Sequence, residues 1–168
     1  LEDQFPFRDD FVSMKSYCEI LLGRKDIDGV YLSKNNYLIE MFDSIDMETI
    51  DRNIKLINNL SKERNVSFVL IPTSTEILKH YLPRFAWNLD QKKYIEYVQN
   101  NLVPEVNFIN TYDILNEHKD EYIYYLTDHH YTSLGAYYCY LEFCKKSSIT
   151  PLNISDFNVK EVSNNFLG

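Results

Sequence analysis

The sequence has no basic stripe, no Cys-x-x-Cys pair, no repeat, no low-complexity linker and no long apolar run. Lys and Arg number 17 against 25 Asp and Glu, a net charge of −8. Phosphate backbones are held by clustered cations, so this balance argues against a nucleic-acid partner. Apolar stretches such as Phe68–Ile71 fall far short of the roughly 20 residues a spanning helix needs. The 3 cysteines are an odd number. Cys139 and Cys144 stand five apart, off a common helical face, so neither a disulfide framework nor a zinc knuckle is expected, and buried or partly buried free thiols are. There is no initiator Met and no signal peptide; Leu1-Glu2-Asp3-Gln4-Phe5 enters mid-pattern, and we expect a fragment whose start says little about targeting.

What is present suits one packed domain. The 168 residues are 45% hydrophobic and 25% charged, enough apolar content for a core. The 14 tyrosines combine apolar rings with polar tips, suited to core edges and to polar ligand grooves, carbohydrate grooves included.

The pattern along the chain alternates. Phe11, Met14, Tyr17 or Cys18, Leu21 and Leu22 fall on one face of a helix over residues 5–22 that Gly23 stops. Val30–Leu32 and Tyr37–Ile39, separated by Ser33-Lys34-Asn35-Asn36, read as a hairpin. Asp46 is placed to cap a helix carrying Met47, Ile50, Ile54, Ile57 and Leu60. Val66–Ile71, ended by Pro72, reads as a central strand with parallel neighbours on both sides. Helices are expected over Thr73–Leu82, Asp90–Leu102, Thr111–Glu117 and Ser133–Lys146, and further strands at Asn107–Ile109, Tyr122–Leu126 and Phe157–Val162. Strands alternating with helices imply an α/β fold, with ligands beyond the carboxyl ends of a parallel sheet. The loops Pro72–Thr75 and Thr127–Tyr131 belong at that edge.

One segment carries chemistry: Thr127-Asp128-His129-His130-Tyr131-Thr132. In extended backbone, residues two apart point the same way, so Asp128 and His130 can share a cleft while His129 faces away. A carboxylate beside an imidazole fixes its tautomer and stabilises its cation, which a general base requires. A polar turn capping the next helix through Thr132 explains the same residues without chemistry.

The wider run Tyr125-Leu-Thr-Asp-His-His-Tyr-Thr-Ser-Leu-Gly-Ala-Tyr-Tyr138 resembles the signature of the DHHW protein family, related to SGNH hydrolases and alginate O-acetyltransferases. Asp3–Asp9, Gly29–Glu40 and Ile71-Pro72-Thr73 resemble other parts of that family, so the resemblance covers essentially the whole chain. It implies a single three-layer αβα SGNH-like domain over residues 1–168, with an appended N-terminal helix and β-hairpin. It also implies a serine-type hydrolase or O-acyltransferase acting on O-acetyl groups of a cell-envelope polysaccharide, in an extracellular or envelope location. Asp128 and His130 become the triad acid and base, and Tyr131 replaces the family's usual Trp. The resemblance brings no metal and no cofactor, and it allows a membrane-anchored acyl donor as partner.

The family's nucleophile lies in a Gly-Asp-Ser segment after the histidine, and none occurs here. A fragment lacking that segment is expected to be inactive alone and to self-associate through an uncovered sheet edge. Local alternatives are few. Ser74 ends the central strand near a helix start but has no neighbouring glycine to form a sharp nucleophile turn. Thr73, Ser74 and Tyr131 are candidates for substrate contact, and Ser133 reads as a helix start.

Two other readings remain open. Asp-His-His also resembles the metal-holding run of DHH phosphoesterases, although the only Asp-x-Asp, Asp26-Ile27-Asp28, has no partner histidine nearby in sequence. A non-catalytic glycan-binding domain would use the tyrosines alone. His80 and His118 stand in polar surroundings and are expected at the surface.

Overall fold

The structure, a computed structural model, describes residues 7–160 and Phe166. Expectations resting on residues 1–6, and on 161 and 162 at the end of the last expected strand, lie outside the described residues.

Helix α1 (Arg8–Leu21) ends as its sequence indicates, with Gly23 at φ +86°. Its apolar stripe is exposed: Phe11, Met14, Tyr17 and Leu21 all face solvent in large part, and so does Cys18, against the expectation of a buried or partly buried thiol. Strands β1 (Asp26–Ile27), β2 (Val30–Leu32) and β3 (Leu38–Glu40) form an antiparallel sheet in that order. The hairpin is therefore present, with Lys34–Asn36 as a 3-10 turn and an additional short strand in front.

Helix α2 (Met47–Leu60) begins where Asp46 accepts the Thr49 N–H at 3.1 Å. Strand β4 (Val66–Leu70) pairs in parallel with β5 (Val106–Asn110), Val66 opposite Val106 and Leu70 opposite Asn110. Between them lie α3 (Ser74–Ile77), cut to about one turn of the expected helix, and α4 (Gln91–Asn101). Helix α5 (Tyr112–Glu117) leads towards α6 (Ser133–Lys146). Helices α2 and α4 meet the Phe68 and Leu70 face of β4 around an apolar cavity of about 310 Å³, while α6 packs by β5 and α5 packs on α6. That is the αβα layering. The core gathers Ile39 of β3 with Ile77, Leu78, Ile95, Leu115, Ile123 and Tyr124, and Leu70 of β4 and Phe108 of β5 pack against it.

Two strand expectations fail. Tyr122–Leu126 does not join the parallel sheet. The buried Tyr124 hydroxyl donates to the Pro72 carbonyl at 2.7 Å, and the backbone doubles back to a single antiparallel bridge, Tyr124 to Tyr131. Among the described residues β4 consequently has one strand neighbour, β5, and its apolar residues are only partly covered. Residues 157–160, the described part of the last expected strand, form no strand; the tail instead has a 3-10 turn at Ile154–Asp156.

Candidate active site

The Asp-His-His segment is the tip of a tight reversal. Tyr125 donates its N–H to the His130 carbonyl at 3.1 Å, and Thr132 to Ile123 at 2.9 Å. Leu38 of β3 donates to the Leu126 carbonyl at 2.7 Å, tying the reversal to the antiparallel sheet. Thr132 closes it: its hydroxyl donates to the Tyr122 carbonyl at 2.8 Å and accepts the Gly135 N–H at 3.3 Å as the N-cap of α6. Capping and site-building are thus one structure, and the two explanations of the motif are not rivals.

Asp128 bends back on its own backbone. Its Oδ1 accepts the His130 N–H at 2.7 Å and meets His130 Nδ1 at 2.5 Å. The first contact is an Asx turn, in which a short acidic side chain binds the amide two residues on. The carboxyl is held below the usual aspartate value, first by the His130 N–H and then by the His130 ring. An imidazole held through Nδ1 presents Nε2 as the nitrogen that can take a proton. The His130 side chain is 64% exposed and that of Asp128 34%, so the pair faces outward.

His129 does not face away. Its ring lies 4.0 Å from that of His130, because residues 127–130 form a turn and strand alternation does not apply. Asp128, His129 and His130 offer ligand atoms within 4.8 Å of one another and could hold a metal ion. A metal at His130 Nδ1 would have to displace the Asp128 contact, and the pair as it stands has acid–base geometry. Asp26 is taken by Arg24 at 3.2 Å. Asp28, distant in sequence from any histidine, nevertheless lines the same cleft as His129.

That cleft, a cavity of about 440 Å³ between the antiparallel sheet and the reversal, carries the carboxylates of Asp28, Glu40, Asp43 and Asp128. One cation is near: Lys15 Nζ lies 3.3 Å from Asp28. The sequence gives no local signal for this grouping, since Asp28, Glu40 and Asp43 are far from Asp128 along the chain and approach it where Leu38 pairs with Leu126.

Thr73 and Ser74 are placed elsewhere. Thr73 exchanges two hydrogen bonds with Gln91, at 2.6 and 3.0 Å, and lines the apolar cavity. Ser74 is 4% exposed at the start of α3, and neither residue lines the Asp128 cleft. Tyr131 follows His130 with its ring partly exposed, and Ser133 is the first residue of α6. His80 sits by Asp120 at 3.4 Å, its pKa lowered chiefly by partial burial. His118 is not a free surface group: it stacks on Tyr138 at 3.7 Å and meets Glu121 at 2.7 Å. Cys139 is buried, and burial pushes its thiol up to about 11, which makes it a poor nucleophile.

Sequence reasoning missed Glu76, which is 2% exposed. Its carboxylate accepts from Lys79 at 3.0 Å, the Tyr112 hydroxyl at 3.1 Å and the Gln91 N–H at 3.2 Å, locking the loop after β4 to α4 and α5. Glu76→Ala should cost about 3 kcal/mol in denaturant unfolding, because it orphans buried partners. A change within experimental error would mean the loop is held by other contacts.

The layering and the position of the reversal after the parallel strands define an α/β protein with a parallel sheet between helices. The chain belongs to the DHHW protein family, whose description matches residues 26–167. It is similar in structure to a DHHW family protein from Eubacterium siraeum, with TM-score 0.60 and 28% identity over 77% of this chain and 41% of that one. It is also similar to Bacillus cereus PatB1 carrying a sulfonyl adduct, with TM-score 0.60 and 24% identity over 73% of this chain and 44% of that one. The O-acetyltransferase domain of Pseudomonas putida AlgJ gives TM-score 0.57 and 15% identity over 71% and 47%. The chain thus spans less than half the length of each. No curated protein matches. No helix among the described residues is long and apolar enough to cross a membrane.

Proposed function

We propose that Asp128 and His130 are the acid and base of a serine-type acyl-transfer site acting on O-acetyl groups of a cell-envelope polysaccharide. The observation that carries this reading is the contact between Asp128 Oδ1 and His130 Nδ1 on an exposed turn beside an open cleft. His130 Nε2 takes the proton as a serine Oγ bonds to the acyl carbon. Asp128 stabilises the imidazolium, and backbone N–H groups meet the oxyanion. The protonated ring then returns the proton to the departing sugar oxygen, leaving an acyl-serine for water or an acceptor hydroxyl. The likeness to an O-acetyltransferase domain, and to a protein caught with a sulfonyl adduct, supports acyl chemistry.

The nucleophile is proposed to come from sequence outside residues 1–168. Ser74 is buried away from the pair, whereas Phe166 returns to it: its ring lies 5.2 Å from Tyr125, whose N–H holds the His130 carbonyl. The donor would be an acyl ester, or a membrane-anchored acyl carrier. The free edge of β4 would be covered by that same outside sequence or, in this chain alone, by a second copy.

The test compares residues 1–168 with the full-length gene product on an aryl acetate ester. Turnover by the full-length protein and none by residues 1–168 is expected. Equal turnover by both would place the nucleophile within this chain and overturn the assignment.

A further inference from the structure

We propose that α1 pairs in parallel with α1 of a second copy of this chain, as a two-heptad coiled coil that joins two domains. The inference is independent of the chemistry assigned to Asp128 and His130, and α1 lies outside the residues 26–167 that match the family.

The seam is written in the sequence and displayed by the fold. Phe7, Phe11, Met14, Cys18 and Leu21 follow one another at intervals of four, three, four and three residues, the a and d spacing of a coiled coil. A helix that packs on its own domain turns such residues inward. Here Phe7 is 74% exposed, Met14 56% and Leu21 86%, and Phe11 and Cys18 are exposed too. The helix meets its own domain through the opposite side. Ser16 and Glu19 are the partly covered residues of α1, and Arg24 ties Glu19, at 3.1 Å, to Asp26 of β1, at 3.2 Å. At 3.6 residues per turn Ser16 stands across the helix from the seam, so the seam points away from the domain.

Charge selects the occupant and its direction. In a parallel pair each g residue faces the e residue of the partner's next heptad. With Phe11 and Cys18 at a, Asp10 and Tyr17 take g, and Lys15 and Leu22 take e. Asp10 thus faces the partner's Lys15, twice by symmetry, and Tyr17, 70% exposed, faces the partner's Leu22, itself 84% exposed. An antiparallel pair in the same seam sets e against e and brings Lys15 to the partner's Lys15. Lys15 Nζ lies 3.3 Å from Asp28, but both side chains are exposed, and a surface contact of this kind is readily exchanged. A bilayer is the poorer match. A helix lying on lipid carries a basic polar face, whereas α1 sets Asp9, Asp10 and Glu19 against Arg8 and Lys15. Because α1 is already helical on this domain, pairing does not have to supply the nucleation that short isolated helices lack.

The test is sedimentation velocity of residues 1–168 at loading concentrations from about 1 μM to about 1 mM, with monomer giving way to dimer inside that range. Met14→Glu combined with Leu21→Glu, both at exposed positions, should keep the parent's far-ultraviolet helix signal and abolish the dimer. Asp10→Lys should weaken the dimer about tenfold, because two attractive pairs become repulsive, and Lys15→Asp should do the same. An equal mixture of these two charge variants should recover the parent's affinity, since both unlike pairs are restored between the two chains. Oxidised glutathione, itself reduced to two thiols, should convert the two Cys18 thiols of a dimer into one disulfide, because facing a positions of a parallel pair bring them together. Cys139 and Cys144 are buried and stay reduced. A monomer at every concentration, a dimer indifferent to the α1 changes and so held at the β4 edge, or a dimer that forms no Cys18 disulfide would each overturn the inference. So would a chain that stays monomeric in solution and sediments with phosphatidylglycerol vesicles.

Discussion

Replacing His130 with alanine in the full-length protein is expected to lower acyl turnover by about three to four orders of magnitude, since the change removes the imidazole that Asp128 holds to take the serine proton. Asp128→Asn should cost about as much by a different route. The asparagine carbonyl can still accept the His130 N–H and keep the turn, but it carries no charge to stabilise the imidazolium. Both residues are at least one-third exposed, so Tm should move little in either variant. The expected pattern is loss of turnover with retained fold. The sign of the acid response follows from the lowered carboxyl value of Asp128. A carboxyl with a depressed folded-state pKa stabilises the turn above the ordinary aspartate range, and that contribution goes as pH falls through and below that range. The local structure reported by the His130 amide resonance should therefore be intact at neutral pH and lost only in acid. Turnover within tenfold of the parent in His130→Ala would remove the base from the mechanism.

Gly135→Ala should be the most damaging small substitution in the chain. A Cβ there would overlap the Ile123 carbonyl oxygen, well inside van der Waals contact, and crowd Tyr131 Cβ at 3.0 Å. The first obstacle is backbone and cannot swing aside, so α6 and the segment carrying Ile123 must part. That breaks the Thr132 to Ile123 pairing on which the reversal depends. The cost should be about 2–3 kcal/mol, or about 5–10 °C in Tm, with a loss of turnover larger than the loss of folded protein. Unchanged Tm and turnover would show that the close packing of α6 on the reversal is dispensable.

These two positions also show how far sequence reaches. Helices α2 and α6 are legible because each has a cap at the right place, Asp46 and Thr132, followed by apolar residues every three to four positions. The β2–β3 hairpin is legible from two apolar runs around Ser33–Asn36. Strand β1 is not, because two residues carry no periodicity. Tyr122–Leu126 has the composition of a strand, yet one long-range bond, Tyr124 to Pro72, and the cap at Thr132 turn it into half of a reversal. In the site, the Asp128 and His130 pairing is legible from spacing, although through an Asx turn and not through strand alternation, which is why His129 was misplaced. The carboxylates of Asp28, Glu40 and Asp43 were illegible for a physical reason: they reach the cleft through pairing of β3 with Leu126, some 90 residues along by the count from Leu38.

The central claim, that Asp128 and His130 activate a serine, is tested most directly by treating the full-length protein with a sulfonyl fluoride and mapping the adduct by mass spectrometry, beside the same protein carrying His130→Ala. The expected result is one labelled serine outside residues 1–168 in the parent and no label in the variant. Equal labelling in both proteins, or an adduct on Ser74, would contradict it.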